Sequence, residues 1–225
     1  MNGKKLIELK EELFETGYVS FNLKDISLDL YSKLESLIPI GTLRPSDFTN
    51  LKASIINPKN NPEPLYPNDI TDKSFEELET IKDDILNRYL NSDDYGLDQV
   101  WYYKNADNHH TLDFVSDVYS LFYNLTRDRN CGSSITLYDD GCFLRNHADA
   151  NEIDTTNIRT CALLIYLSND WVEGKGGELV IDKKVVVPPI YGNVAILDFT
   201  KHNPEHMVNR VIGFNRYCLI NFCVK

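Results

Sequence analysis

Positive charge is scarce in this 225-residue chain: 23 Lys and Arg stand against 34 Asp and Glu, for a net charge of −11. A surface of that sign repels phosphate backbones, and no Lys/Arg stripe marks a local exception, so nucleic acid is not an expected partner. A basic peptide stays admissible. Long apolar runs are also missing. None approaches the ~20 residues of a membrane span, so no membrane role is expected. Cysteine is sparse and odd in number: Cys131, Cys142, Cys161, Cys218 and Cys223, with no CxxC pair. Three of them lie inside apolar strand-like runs, where free Cys packs as a small hydrophobe. That usage fits a reducing, cytoplasmic compartment better than a secreted one. The opening Met1-Asn-Gly-Lys-Lys leads into an amphipathic segment and lacks an apolar signal core. Internal repeats and low-complexity tracts are absent.

What remains is ordinary for a globular chain, with 42% hydrophobic and 25% charged residues, enough for one domain with a real core. The first half reads as helices with a few strands. Leu6, Leu9 and Leu13 recur at helical spacing over Lys4 to Thr16, and Gly17 is a C-terminal stop. Tyr18 to Leu23 alternates like a strand. Ser27 caps a second helix carrying Leu30, Leu34, Leu37 and Ile38, which Pro39 ends. Residues 39–70 hold six of the nine prolines and read as a long loop, a candidate lid, with a short strand at Ala53 to Ile56. Ser74-Phe-Glu-Glu77 is a capping box opening a helix with Leu78, Ile81, Ile85 and Tyr89. Val100 to Tyr103 reads as a strand and Thr111 to Asn124 as a helix.

From Ser133 onward the pattern turns to strands. They are expected at Ser133–Tyr138, Phe143–Asn146, Arg159–Leu167, Glu178–Ile181, Val185–Val187, Val194–Asp198 and Arg216–Val224, separated by turn signals such as Asp-Asp-Gly and Gly-Lys-Gly-Gly. This order predicts an α+β layout with a mainly β core, a closed or sandwiched sheet braced by helices on one face. We expect a single domain over 1–225. Residues 1–130 form a helix-rich support with the first strands and the 39–70 loop, and 131–225 form the core.

Chemistry concentrates at Tyr138-Asp-Asp-Gly-Cys-Phe-Leu-Arg-Asn-His147-Ala-Asp149. Side chains two apart on an extended backbone share a face, so His147 and Asp149 can hold one ion from a strand end. Five histidines compete to complete the set. His109 and His110 sit among polar residues before a helix and read as solvated loop. His202 lies close to His206, but His206 is preferred because Met207-Val208 follows it and a strand with Arg216 comes after. Two His and one carboxylate make the facial triad of non-haem Fe(II) oxygenases.

In sequence order, the stretches that now matter are Tyr-x-x-Gly ahead of His147-x-Asp149, Leu164-Ile-Tyr166-Leu-Ser-Asn-Asp-Trp171, Gly176-Gly-Glu-Leu179, and Asn203-Pro-Glu-His206-Met-Val208 with Arg216. Together they resemble the catalytic core of the Fe(II)/2-oxoglutarate-dependent dioxygenases, most closely the prolyl 4-hydroxylase branch that includes the oxygen-sensing protein prolyl hydroxylases. The resemblance covers about the last ninety residues. It implies a double-stranded β-helix, or jelly roll, with the metal at one open end. His147, Asp149 and His206 match the Fe(II) ligands. Arg216 matches the residue that pairs with the distal carboxylate of 2-oxoglutarate. Tyr166 matches a hydroxyl on that same carboxylate, and Tyr138 an aromatic at the substrate and co-substrate mouth. The implied cofactors are Fe(2+), 2-oxoglutarate and O2, with ascorbate as a reductant. The implied activity is hydroxylation of a prolyl residue in a protein or peptide, with succinate and CO2 released. The same chemistry on a free amino acid or small metabolite, and a non-catalytic sensor on the same barrel, are the alternatives.

If Arg216 faces the barrel interior, strand alternation takes Cys218, Ile220 and Phe222 with it. If Tyr166 does, Leu164 and Ala162 follow and Thr160 lines the mouth. Two departures stand out. Many relatives carry Ser two residues after the Arg, where this chain has Cys218, and the 150–158 insert has no counterpart.

Overall fold

The computed structural model describes residues 2–37, 50–56, 62–65, 73–105, 109–123, 129–149 and 159–224. In chain order it begins with α1 (Gly3–Thr16), β1 (Tyr18–Asn22), α2 (Leu23–Ile26) and α3 (Leu28–Leu37). β2 (Asn50–Ile56), β3 (Pro62–Leu65), α4 (Phe75–Tyr89), β4 (Gly96–Asn105) and α5 (His109–Ser120) follow. Then come β5 (Arg129–Tyr138), β6 (Phe143–His147), β7 (Arg159–Tyr166), β8 (Leu179–Ile181), β9 (Val185–Val187), β10 (Asn193–Asp198), β11 (His206–Val208) and β12 (Arg216–Val224).

The local signals act as expected at several ends. Gly17 closes α1 in the left-handed region at φ 82°, a conformation that costs glycine nothing. Ser27 Oγ accepts from the Leu30 N–H at 3.3 Å at the start of α3. Ser74 and Glu77 exchange both capping-box bonds at the start of α4. His109 and His110, expected on a loop, instead open α5. Of the proline-rich 39–70 stretch only β2 and β3 are described. The rest of that loop, read as a candidate lid, and the 150–158 insert lie outside the described residues.

All strand pairings are antiparallel, and one hydrogen-bonded path runs β1-β10-β7-β12-β5-β4-β6-β11-β8-β9. The path turns over at β4. Tyr102 to Asn105 pair with β5, while Gln99 and Val100 pair with β6. The result is a jelly roll of two antiparallel sheets, β1-β10-β7-β12-β5 and β6-β11-β8-β9. Of the first-half strands, β1 pairs with β10, and β4 with β5 and β6. β1 forms one edge and β4 the seam.

β7 explains its own composition. After the exposed Arg159 every residue to Tyr166 is buried, because one face looks into the cavity between the sheets and the other is covered. Helix α5 takes part in that cover. The Tyr119 hydroxyl donates to the Asn221 carbonyl at 3.3 Å and the Tyr123 hydroxyl to Asp198 at 3.1 Å.

Helix α4 is fastened to the turn between β5 and β6 by a buried cation. Lys82 Nζ lies 2.8 Å from Asp139 Oδ2 and 3.3 Å from Glu79 Oε1, and donates to the Asp140 carbonyl. Cys142 Sγ donates to the other Asp139 oxygen at 3.0 Å. Burial alone would lower the Lys82 pKa, but Asp139 outweighs it and holds the ammonium above its ordinary value. The contribution of this pair is thus complete below the ordinary lysine range and is lost only as pH rises through the raised one. Lys82→Met strands Asp139 and is expected to cost about 3–5 kcal/mol. For a chain of this size that is roughly 6–20 °C in Tm, read by thermal melts at neutral pH.

Candidate metal and co-substrate site

Between the two sheets lies a cavity of about 320 Å³, within the range of small-molecule sites. Its two ends carry different chemistry. At one end β6 and β11 pair His147 directly with His206, and the turn after β6 brings in Asp149. His147 Nε2 is 3.7 Å from Asp149 Oδ1, and His206 Nε2 is 3.5 Å from Asp149 Oδ2. The imidazole centroids are 4.3 Å apart. One donor atom from each residue falls within 4.8 Å of the others, the one such group among the described residues.

The donor set fits a divalent metal. His147 Nδ1 meets the Arg145 carbonyl at 2.9 Å and His206 Nδ1 meets the Pro204 carbonyl at 3.2 Å. A carbonyl can only accept, so each ring carries a hydrogen on Nδ1 and presents its Nε2 side toward Asp149. Burial, then the neighbouring His206, depress the His147 pKa against the pull of Asp149. Burial would raise the Asp149 carboxyl, but His206, His147 and Arg159 hold it below its ordinary value. At neutral pH the carboxylate is therefore ionised and the His147 imidazole neutral, the forms a metal binds.

At the far end stands Arg216, 1% exposed. Its Nε donates to the Gly177 carbonyl at 2.7 Å, and its Nη2 reaches the Tyr166 hydroxyl at 3.5 Å. The guanidinium lies 4.9 Å from the Tyr138 ring and 5.0 Å from the Tyr166 ring. Burial raises the pKa of both phenols, partly offset by Arg216, so both keep their hydrogens. Gly177 (φ 75°) is needed here, since a Cβ would meet Phe214 at 2.9 Å and the Arg216 side chain at 3.1 Å. No carboxylate pairs with Arg216 among the described residues. A buried cation without an anion is costly, and this one faces a cavity.

The structure brings His147, Asp149 and His206 together, and places Arg216 and Tyr138 at the other end of the same space, with the Tyr166 hydroxyl against the Arg216 guanidinium. His202 is removed from contention, with its ring nitrogen 3.3 Å from the Phe14 carbonyl at the end of α1. Ile220, Phe222, Leu164 and Ala162 face the cavity as alternation requires. Thr160 does not line it. Its hydroxyl is buried and donates to the Cys223 carbonyl. The register shifts where Cys223 faces Cys161 but Val224 faces Arg159, and this bulge turns Arg159 to the cavity in place of Thr160. Arg159 was missed by sequence reasoning. Its Nη1 donates to Asp149 Oδ1 at 2.8 Å and its guanidinium sits 4.0 Å from the Phe222 ring. Trp101 and Gln99 of β4 were missed as well, and both line the cavity, with Trp101 stacked on Tyr138 at 6.3 Å.

Residues 133–224 match the family model described as the 2OG-Fe(II) oxygenase superfamily. No curated protein matches the chain. Among solved structures, a prolyl-4-hydroxylase from Pseudomonas putida is 14% identical, with 98% of each chain covered and a TM-score of 0.57. A prolyl hydroxylase from Trichoplax adhaerens, in complex with a hypoxia inducible factor oxygen degradation domain peptide fragment, is also 14% identical, with 99% of this chain and 90% of that one covered and a TM-score of 0.59. At this identity the likeness to both is one of fold. No described helix is long and apolar enough to cross a membrane. The family implies Fe(2+), 2-oxoglutarate and O2 as cofactors and the activity of a 2-oxoglutarate-dependent dioxygenase. Over residues 133–224, then, the chain matches the 2OG-Fe(II) oxygenase superfamily, on a fold shared with the prolyl hydroxylases.

Proposed function

We propose that the chain hydroxylates prolyl residues in a protein or peptide, consuming 2-oxoglutarate and O2 and releasing succinate and CO2. The observation that carries the co-substrate assignment is a single cavity with a His-Asp-His cluster at one end and, at the other, a buried guanidinium with no carboxylate partner among the described residues. A dicarboxylate spans these two demands. His147, Asp149 and His206 would hold Fe(II), which supplies the redox chemistry that couples decarboxylation to hydroxylation of a C–H bond.

The chain's own groups bind, orient and keep the space dry. Arg216 offers a planar fork to the distal carboxylate, already held in place through its Nε. The Tyr166 hydroxyl keeps its hydrogen and can donate to the same group. Tyr138 walls the guanidinium on its other side. Leu144, Leu179, Val208, Leu164 and Ile220 exclude water from the middle of the cavity. At the metal end Arg159 holds Asp149 by the oxygen that faces His147, leaving the second oxygen toward His206.

The prolyl substrate is supported by the motif resemblance and by the shared fold, which in the Trichoplax protein holds a peptide. The apolar surfaces of Phe222 and Ile220 and the indole of Trp101 offer such a ring a place to rest. We propose further that residues 1–225 act as one unit, because β1 and β4 are paired into the core.

The test is succinate release by purified protein with Fe(II) and 2-oxoglutarate, with and without proline-containing peptides, followed by mass spectrometry of the peptide. Peptide-stimulated turnover with one oxygen added at proline is expected. Turnover stimulated by free amino acids and by no peptide would reassign the substrate. No 2-oxoglutarate consumption under any condition would make the barrel a sensor.

A further inference from the structure

Strands β5, β12 and β7 lie side by side on one wall of the cavity, and their register ranks the inward side chains. Arg216 stands opposite Tyr138. The next rank is Thr136, Cys218 and Tyr166, and the one after is Ser134, Ile220 and Leu164. The rank beside the guanidinium therefore has hydroxyls on its two outer strands and a thiol between them. The thiol is a weak donor. Burial pushes its pKa up to about 11, against the pull of Arg216, so it brings no charge either. Its sulfur rests 3.6 Å from the Leu219 carbonyl.

A bound carboxylate has about four lone-pair sites. The fork of Arg216 fills two and the Tyr166 hydroxyl a third. In a cavity this buried the fourth must find a donor or cost free energy. Thr136 lines the cavity, is 3% exposed, and carries its hydroxyl on the far side of Cys218 from Tyr166. Its present partner is the Cys218 carbonyl at 3.3 Å. That bond is long for a hydroxyl, and a simple rotation about Cα–Cβ redirects the oxygen.

We propose that Thr136 is a co-substrate-binding residue, donating its hydroxyl to the distal carboxylate of 2-oxoglutarate beside Arg216 and Tyr166. The proposal rests on the reading of Arg216 given above. It also accounts for Cys218: where many relatives carry a serine on β12, this chain has moved the hydroxyl one strand sideways onto β5.

The experiment is calorimetric titration of 2-oxoglutarate into Mn(II)-loaded protein, which needs no turnover. Thr136→Val keeps the shape and removes the donor, and is expected to weaken binding about 10- to 100-fold. Thr136→Ser should restore it. The double variant Thr136→Val with Cys218→Ser puts a hydroxyl back in the same rank on β12 and should recover most of the loss, which a purely structural defect would not allow. Thr136→Ala gives the same comparison if valine is not tolerated. Wild-type protein that binds 2-oxoglutarate no better than Thr136→Val overturns the Thr136 assignment alone. A double variant as weak as the single one does the same. Wild-type protein that binds no 2-oxoglutarate overturns the reading of the whole cavity.

Discussion

Asp149→Ala is expected to reduce succinate release to the assay background, while leaving the chain folded. Asp149 is the one anionic donor of the three, so its loss leaves two neutral imidazoles to hold a doubly charged ion. Loss of even an outer partner of a metal ligand typically costs 10–100-fold in affinity, and loss of a ligand exceeds that. A second effect adds to the first. Arg159 is held by Asp149 and by the Phe222 ring. With the carboxylate gone, its guanidinium stays at the site and repels an incoming cation. The fold has little at stake, because the Arg159 side chain is 43% exposed, and ion pairs that open to water contribute about 0–1 kcal/mol. Metal titration, succinate release and a thermal melt on the one variant separate these terms. A variant that keeps turning over would show that other residues hold the metal.

Much of this site was written in local pattern, and the misses have a common cause. His147 and Asp149 were found because two-residue spacing places them on one face. Ile220, Phe222, Leu164 and Ala162 followed from parity with Arg216 and Tyr166. Alternation fails where a strand carries a bulge. On β6, Leu144 and His147 both face the cavity although they are three apart, and the register slips between their partners Val208 and His206. On β7, a slip near Cys161 gives Arg159 the place that parity assigns to Thr160. A bulge leaves no mark in a single sequence, yet it is what re-aims side chains beside a site. β11 was not anticipated, since three residues are too few to show a period, although His206 at its start was singled out and lies beside His147 and Asp149. Thr136 and Ser134 were within reach, sharing parity with Tyr138. The place of β4 between β5 and β6 was not, because pairing across thirty or more residues has no local signature.

Arg216→Met should move stability and binding in opposite directions, and that contrast isolates what the buried guanidinium is for. In the ligand-free protein Arg216 is a desolvated charge with no carboxylate partner among the described residues. Its compensation is one bond to the Gly177 carbonyl, a 3.5 Å contact with Tyr166 and two flanking rings. Replacing buried ionic groups by apolar ones of similar volume is often neutral or stabilising by about 1–4 kcal/mol, and methionine can follow the space the stem now fills. The Tm of the ligand-free variant is therefore expected to hold or rise. Binding loses the fork. Hydrogen bonds to charged groups contribute about 1.5–3 kcal/mol each, so two of them correspond to roughly 10²- to 10⁴-fold in the affinity for 2-oxoglutarate. The rise in Tm that 2-oxoglutarate gives the Mn(II)-loaded wild type should vanish in the variant. Arg216→Lys keeps the charge but not the planar pair of donors, and should fall between the two. A ligand-free variant that melts far below wild type would make the guanidinium a strut of the fold. An undiminished response to 2-oxoglutarate would place the distal carboxylate elsewhere. Only a stable variant that no longer answers to its co-substrate agrees with a positive charge held in reserve for an anion.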